Sequence, residues 1–397
     1  MNALTWPSVI TACMAGSLLA ADTPAPPTPE QVQQAIARGT DFLIKSQNPN
    51  GSWGGARGSI TTFTGPVWSN PETHRSWRVG TTGLCCMALM AVGESPQAMS
   101  ALDRGIEYMI VNSVVKRPSD WDVDNTWAYI YGLHSLAVAY GHPHFVELRP
   151  KISPVIGKHL EKLAAYQALS GGWAYYEFSS PRKRRPEWST SFSTAAAVIA
   201  LQEARRQGFT VDDKMVARAV RGIKRCRLPS GAYTYSIQAI ADPRHSEWID
   251  QVKGSLSRIQ VCHEALLQAG EDISQAALLT GIGHFFREHR FLDAARNRPI
   301  PHEAYYLNSG YFYLFGHYYA SLVISRLPEA DRQKYWPKLQ YEVMKTQQKD
   351  GSMWDFEMHS YSKPYGIAFG LLTLKRSIAG AAPKANGSAP ISSNSGD

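Results

Sequence analysis

The chain has 397 residues, enough for one large domain or two small ones, and its 44% of hydrophobic residues can form a sizeable buried core. The formal net charge of +8 favours anionic partners. However, the Lys and Arg residues are scattered and form no single stripe, which argues against nucleic acid as a partner. The exception is the run Arg182–Arg185, which we interpret as a solvated loop, with an anion site as the alternative.

The N-terminal region has the composition of an export signal. Residues 6–21 form an apolar stretch that ends in small residues and precedes a Pro-rich spacer at 22–28. Such a stretch is typical of a signal peptide and is too short to span a membrane. We therefore predict that residues 1–21 direct export to the periplasm or the cell exterior, and that the chain has no transmembrane span. The tetrapeptide at 10–13 resembles a lipoprotein processing site, so lipidation is an alternative.

Helix-start signals recur along the chain. Thr28 is followed by Pro29 and Gln31, which predicts an N-cap, a proline in the first turn and a capping box. Ser95 with Pro96, and the segment 210–213, follow the same logic. Apolar residues at helical spacing come after each signal, so each predicts an amphipathic helix.

A second class of helix alternates with the first and is apolar nearly all round. These helices are predicted to begin near Thr81, Asn125, Ser191, Ser257, Ser309 and Pro364. A helix of this kind must be buried on nearly all sides. Six amphipathic helices alternating with six buried ones predict an all-α fold, a single α6/α6 toroid over residues 29–380 with an inner and an outer ring. The Ser/Ala/Gly/Pro-rich tail, 381–397, is predicted to be disordered.

The turns between hairpins carry a repeated signature of Gln, Gly and an aromatic residue. It is complete in residues 38–53 and in 167–173, has one extra residue before the Trp in 347–354, and retains only Gly and Tyr in 229–233. Gln at a helix C-terminus can bond unpaired carbonyls, Gly allows a positive-φ turn, and Trp can pack over it.

These turns resemble the QW repeat of the squalene–hopene cyclase and prenyltransferase-type repeat superfamily. The resemblance implies a terpenoid-cyclase-like α/α toroid. It implies little about chemistry, because cyclases, prenyltransferase β subunits and thioester-domain proteins share this architecture.

One segment points to chemistry. Asp122-Val123-Asp124-Asn125-Thr126 resembles the Asp-X-Asp-Asp-Thr motif of class II cyclases in that superfamily. The resemblance implies that Asp124 protonates an alkene, that Asp122 supplies the partner carboxylate, and that Asn125 replaces the last Asp. The alternative interpretation is that these carboxylates cap the following helix.

Carbocation chemistry needs aromatic faces. The predicted substrate-binding residues lie on inner helices and are Trp127, Tyr131, Phe192, Tyr311 and Tyr313; Tyr129 and Phe315 are further candidates. No cofactor is expected. No metal site is predicted either, because the Asp-X-Cys pair of prenyltransferase β subunits is absent and Cys262-His263 lacks the partners that a lanthionine-cyclase-type site would need. The four cysteines beyond the predicted signal, at 85, 86, 226 and 262, are an even number that permits disulfides. Those at 85, 86 and 262 lie within apolar helical runs and are interpreted as buried thiols.

Polar residues in the loops before the inner helices leave a second interpretation open. They are His74, Arg75, Glu187, His302, Glu303, Glu357 and His359, and a closed ring would gather them at one mouth. Three hypotheses follow. The first is an exported isoprenoid cyclase or mutase with an apolar isoprenoid ligand. The second is a polysaccharide-binding or lyase-type protein. The third is a non-catalytic ring that binds a protein or lipid.

Overall fold

The computed structural model describes residues 25–56, 71–93, 95–116, 124–177, 186–238 and 248–381. The predicted signal peptide, the run Arg182–Arg185 and nearly all of the predicted tail lie outside these residues. The described residues form these α-helices: α1 (Pro29–Ser46), α2 (Pro71–Val92), α3 (Pro96–Asn112), α4 (Trp127–Gly141), α5 (Arg149–Tyr166), α6 (Ser191–Arg206), α7 (Asp213–Cys226), α8 (Leu256–Gln268), α9 (Gln275–Arg287), α10 (Arg290–Ala295), α11 (Phe312–Arg326), α12 (Glu329–Met344) and α13 (Ser362–Ala381).

Six of these helices form a closed inner ring. The helices α2, α4, α6, α8, α11 and α13 each contact the next in that order, and α13 contacts α2. Nearly every residue of α6, α8 and α11 is buried, since each helix is enclosed by two neighbours, the ring interior and an outer helix.

The outer ring consists of α1, α3, α5, α7, α9 and α12, with the short α10 as an addition. Each packs against an inner helix and buries one face; α1, for example, buries Val32, Ala35, Ile36 and Leu43. The predicted all-α α6/α6 toroid is therefore confirmed. The described strands are only β1 (Asp124–Asn125) and β2 (Tyr176–Glu177), paired antiparallel. None of the described helices is long and apolar enough to cross a membrane.

Most of the predicted helix starts agree with the structure. Thr28 forms the predicted capping box with Gln31, and Ser95 caps α3 through the amide of Ala98. In the segment 210–213 the cap is Asp212. The first inner helix differs more, because α2 begins at Pro71, ten residues before the predicted Thr81. The added helical turns contain polar residues that are buried within the ring. Hydropathy alone assigns such polar residues to a loop.

The repeated turns join neighbouring hairpins through hydrogen bonds. Gln47 Nε2 donates to the carbonyl oxygens of Gly51 (2.9 Å) and of Ala101 on the next outer helix (2.7 Å), while Arg104 of that helix donates to Gln47 Oε1. The indole N–H of Trp53 donates to the carbonyl oxygen of Leu43 (2.8 Å). The Gln therefore bonds the next hairpin as well as its own turn, a wider role than the predicted C-terminal cap.

The same bonds recur in the other turns and close the ring. Gln167 donates to Gly171 and Met215, and it accepts from Arg218. Gln347 donates to the carbonyl oxygens of Gly351 and Ala35, and it accepts from Arg38. The last repeat is thereby bonded to the first.

The last turn differs in one detail from the repeated signature predicted for residues 347–354. The fully buried Met353 follows Gln347 by six residues, as Trp53 follows Gln47, so Met353 and not Trp354 takes the aromatic position. The cysteines at 85, 86, 226 and 262 are buried free thiols, as interpreted from the sequence for 85, 86 and 262.

Candidate functional site

The inner ring encloses a cavity of about 380 Å³ at the end where its helices begin. Trp127 is the first residue of α4, Phe192 the second of α6 and Phe312 the first of α11, and all three line it. Other wall residues come from α2, α4, β2, α11, α13 and the loops, namely Trp77, Leu84, Tyr131, Tyr175, Tyr176, Tyr311, Phe315, Phe356, Tyr365 and Phe369. The volume lies within the range of small-molecule sites.

The wall is built from aromatic rings in mutual contact. Trp127 stacks on Tyr131 with ring centroids 5.4 Å apart, and Phe192 meets Phe312 edge to face at 5.1 Å. Phe315 contacts Phe369 at 6.1 Å across neighbouring helices. A wall of this kind offers carbon surface and the negative faces of aromatic rings, which suit an apolar ligand and a positively charged intermediate.

Four of the five predicted substrate-binding residues lie in this wall: Trp127, Tyr131, Phe192 and Tyr311. Tyr313 does not. It is one residue past the cavity-lining Phe312 on α11, and the helical rotation points it outward, where its hydroxyl donates to the carbonyl oxygen of Glu342 (3.1 Å). Tyr129 also faces away from the cavity, and its hydroxyl donates to Val115.

The backbone of residues 124–126, the described part of the Asp-X-Asp-Asn-Thr segment, lies beside the cavity wall. In β1, Asp124 pairs with Glu177, and Asn125 pairs with the wall residue Tyr176. Thr126 then anchors the segment, since its amide donates to the carbonyl oxygen of Tyr175 (3.0 Å) and its hydroxyl donates to that of Ala174.

The structure describes only part of this predicted catalytic group. Asp122 and the side chains of Asp124 and Asn125 lie outside the described residues. Thr126 occupies the N-cap position of α4, so Asp124 precedes the cap by two residues and its backbone belongs to a strand. The helix starts at Trp127, two residues after the predicted Asn125.

A histidine and a tyrosine form a polar pair in the aromatic wall. The hydroxyl of Tyr311 is 3.0 Å from His302 Nε2, and His302 Nδ1 is 2.7 Å from the carbonyl oxygen of Leu307. Because a carbonyl oxygen can only accept, Nδ1 carries the proton and Nε2 accepts from Tyr311. Burial lowers the pKa of His302 and so favours this neutral form, although the hydrogen bond to Leu307 partly opposes the lowering.

A second polar group borders the cavity on the side of α2 and the loop before α13. Glu357 and His359 line it, and the ring of His359 lies 4.7 Å from that of His74. Burial lowers the pKa of His74, and the neighbouring His359 and Arg78 add to the effect. The structure thus brings His302, Glu357 and His359 of the predicted polar mouth to the cavity. His74 belongs to α2, as does Arg75, so neither lies in the predicted loop.

Beneath the wall lies a carboxyl group that sequence reasoning missed. Asp355 is fully buried, accepts from the hydroxyl of the wall residue Tyr365 (2.6 Å) and accepts from the amide of Leu314 (2.8 Å). Burial raises its pKa to about 6, against the lowering effect of these hydrogen bonds. The available signal was its position between the last Gln–Gly turn and the last inner helix.

Backbone strain is concentrated beside the cavity. The described non-glycine residues with positive φ are Asn297, His302, Tyr306, Leu307 and His359. All belong to the loops before α11 and α13, and His302 and His359 line the cavity. Such conformations require stabilisation from surrounding packing and cluster at functional sites.

No family model and no curated protein matches this chain. Solved structures do match. A type II terpene cyclase, MstE from Scytonema in complex with geranylgeranyl dihydroxybenzoate, has a TM-score of 0.53 at 12% identity and covers 88% of this chain and 98% of its own. A possible member of the GH105 family from Klebsiella pneumoniae reaches 0.55 at 14% identity, covering 94% and 98%. An alpha-1,6-mannanase, GH76A of Salegentibacter sp., reaches 0.54 at 10%, covering 87% and 99%.

These similarities establish the terpenoid-cyclase-like toroid architecture expected from the repeated turns. At 10–14% identity they show the fold alone.

Proposed function

We propose that this toroid binds an apolar, isoprenoid-like molecule in its aromatic cavity and cyclises it after protonation of an alkene. The observation that carries the proposal is the nearly continuous aromatic wall around about 380 Å³, with residues 124–126 of the Asp-X-Asp-Asn-Thr segment hydrogen-bonded at its edge. The similarity to MstE, a type II terpene cyclase, supports it. Export through the predicted signal peptide is part of the proposal.

In the proposed reaction Asp124, as a carboxylic acid, transfers its proton to one alkene carbon. The resulting carbocation is attacked by a second double bond, which closes a ring, and loss of a proton to a base gives an isomer of the substrate. Aromatic faces such as those of Trp127 and Phe192 stabilise the cation. Asp122 assists by keeping its partner protonated, since two neighbouring carboxyl groups resist double ionisation. The reaction needs no cofactor.

The test uses the full chain with squalene, geranylgeraniol and geranylgeranylated hydroxybenzoate as probes, and mass spectrometry to detect cyclic isomers. We expect wild type to convert at least one probe, and Asp124→Asn to lower the rate by about 10²–10⁴-fold, the usual contribution of a general acid. Asp212→Asn is the matched control, because Asp212 caps the outer helix α7. Unchanged turnover in Asp124→Asn, or no turnover by wild type, would overturn the proposal.

A second candidate function is lyase-type acid–base chemistry on an acidic polysaccharide. The His302–Tyr311 pair favours it, because a tyrosine hydroxyl bonded to a neutral histidine can exchange a proton with a bound sugar. The similarities to a possible GH105 member and to a mannanase give it further support. Incubation with anionic polysaccharides would yield unsaturated products in wild type and not in Tyr311→Phe. Binding without turnover of any probe would instead indicate a non-catalytic ring.

A further inference from the structure

A cluster of titratable side chains lies away from the cavity, where α10, α11 and α12 meet. His289 Nδ1 is 3.0 Å from Asp293 Oδ2 and 3.3 Å from Glu342 Oε2. The ammonium of Lys345 pairs with both carboxylates, at 2.7 Å from Asp293 Oδ1. His289 is almost fully buried, while the two carboxylates are partly exposed. The proposed function uses none of these residues.

A second histidine fixes the orientation of the first. His317 is fully buried, and its Nδ1 lies 2.7 Å from the carbonyl oxygen of Tyr313, so Nδ1 carries the proton and Nε2 is an acceptor. His317 Nε2 lies 3.0 Å from His289 Nε2, which must therefore donate to it. This leaves His289 Nδ1 facing the carboxylates. A metal-binding histidine has the same arrangement, with one nitrogen toward the metal and the other donating to a fixed acceptor.

The two spacings measured from His289 Nδ1 fit a tetrahedral ion. Zinc bonds nitrogen and carboxylate oxygen at about 2.0–2.2 Å, so neighbouring ligand atoms in a tetrahedron lie about 3.3 Å apart. The nitrogen-to-oxygen distances here are 3.0 and 3.3 Å, and all three atoms lie within 4.8 Å of one another. His289 and Asp293 are four residues apart, which places them on one side of a helical turn.

We propose that His289, Asp293 and Glu342 bind one divalent transition-metal ion, with water as the fourth ligand. Binding displaces to solvent the Nδ1 proton that His289 donates to Asp293, and two carboxylates and the resulting neutral imidazole then balance the charge of the ion. Lys345 neutralises the same carboxylates before the ion enters, and its side chain, 26% exposed on a flexible stem, then turns toward solvent. Because the ion would link α10 to α12, its effect is on stability.

The test uses the full chain after chelation, with zinc chloride as the probe in calorimetric titration and thermal unfolding. We expect one zinc per chain and a higher Tm in wild type, and at least tenfold weaker binding in Glu342→Gln. Lys345→Met removes the competing ammonium and should bind zinc more tightly than wild type. Asp103→Asn is the matched control. Asp103 belongs to a different carboxylate–histidine pair, in which its Oδ1 lies 2.7 Å from Nε2 of the exposed His144.

The inference is overturned if zinc neither binds to nor stabilises wild type and Lys345→Met, which would make the cluster an ion-pair network only. Binding that persists unchanged in Glu342→Gln and in His289→Ala would place the zinc elsewhere. Magnesium chloride at the same concentration should have no effect, because a site with an imidazole ligand favours zinc over magnesium.

Discussion

Three buried histidines, His134, His159 and His263, are neutral in the folded protein. Burial lowers their pKa values to about 4, 3 and 4 respectively; nearby cations add to the lowering, and Glu203 opposes it at His134. Each ring is enclosed by helices; His159, for example, packs on Gly132 and lies 2.9 Å from the Ser113 hydroxyl. Folding therefore excludes protons that these side chains would bind in the unfolded chain.

We predict that acid destabilises the protein between about pH 6.5 and pH 4. Below about pH 6.5 these histidines bind protons in the unfolded chain but not in the folded protein. The free energy of unfolding therefore decreases as the pH is lowered, by up to about 1.4 kcal/mol per pH unit for each histidine. His159→Gln, which can still bond Ser113, should reduce this slope by that amount in urea unfolding across the pH series. The exposed His144→Gln is the control, and an equal slope in wild type and His159→Gln would contradict the prediction.

Asp355 should show the opposite dependence. Its folded pKa of about 6 exceeds the ordinary 3.8, so the folded state holds a proton that the unfolded chain releases. Its contribution to stability is complete below about pH 4 and is lost as the pH rises through 6, a change of about 3 kcal/mol. Asp355→Asn lacks this titration, so the stability of wild type relative to the variant should fall between pH 4 and pH 7. A constant difference would show that Asp355 is ionised throughout.

The sequence predicted the wall better than the polar groups. Trp127, Phe192 and Tyr311 stand at or next to inner-helix starts, and repetition located those starts to within a few residues. Tyr313 was misplaced because a small error in helical phase turns a side chain from the cavity to the outer ring. The pairing of His302 with Tyr311 depends on a strained loop, which periodicity does not report.

The repeated turn is the element that links hairpins. Gly51, Gly171 and Gly351 have φ between 85° and 99°, and a Cβ on any of them would lie 2.3–2.5 Å from a carbonyl oxygen of the neighbouring outer helix. Gly231 has φ of 84° but has open space around its missing Cβ. The same turn is therefore tightly packed in three repeats and open in one.

This difference predicts that a Gly→Ala substitution destabilises the protein by different amounts in the two kinds of turn. Gly231→Ala should destabilise by about 1–2 kcal/mol, the penalty of left-handed backbone for a residue with a Cβ. Gly51→Ala pays the same penalty and also forces the carbonyl of Arg104 away, so its loss should exceed that of Gly231→Ala by about 1–3 kcal/mol. Chemical unfolding of both variants measures the difference, and equal losses would mean that the neighbouring helix yields freely.

Sequence alone was reliable for the existence of elements and weaker for their boundaries. The alternation of amphipathic and apolar helices follows directly from burial on one face or on all faces. The start of α2 was missed because Thr73 and Ser76 are buried polar residues. In the last turn, spacing from Gln347 identifies the buried position better than residue type, since Met353 fills it.

At the scale of the molecule, closure of the ring explains how six hairpins bury all of their apolar inner helices. Each apolar inner helix needs a neighbour on both sides, and a ring supplies one to every helix without leaving an end exposed. The sequence repeats imply this ring but not its chemistry, because a cyclase and a mannanase share the architecture at 10–12% identity to this chain.

The seam between the last and first repeats differs from the others, because no hairpin turn joins them covalently. Gln347 bonds across it to Ala35 and Arg38, whereas Gln167 bonds to Arg218 only 51 residues away. Removing either side chain deletes equivalent hydrogen bonds and should cost about 1–3 kcal/mol. The two substitutions should increase local opening in different helices, because the first and last repeats can separate at the seam while no covalent connection there holds them together.

We predict that Gln347→Ala speeds amide hydrogen exchange in α1 and α13, on both sides of the seam, while Gln167→Ala affects mainly α5 and α7. Exchange followed by mass spectrometry resolves these segments. Gln348→Ala is the control, since its amide group donates only to the carbonyl oxygen of Thr346 two residues earlier. If Gln347→Ala instead raised exchange evenly around the ring, the toroid would open as one cooperative unit and the seam would have no separate stability.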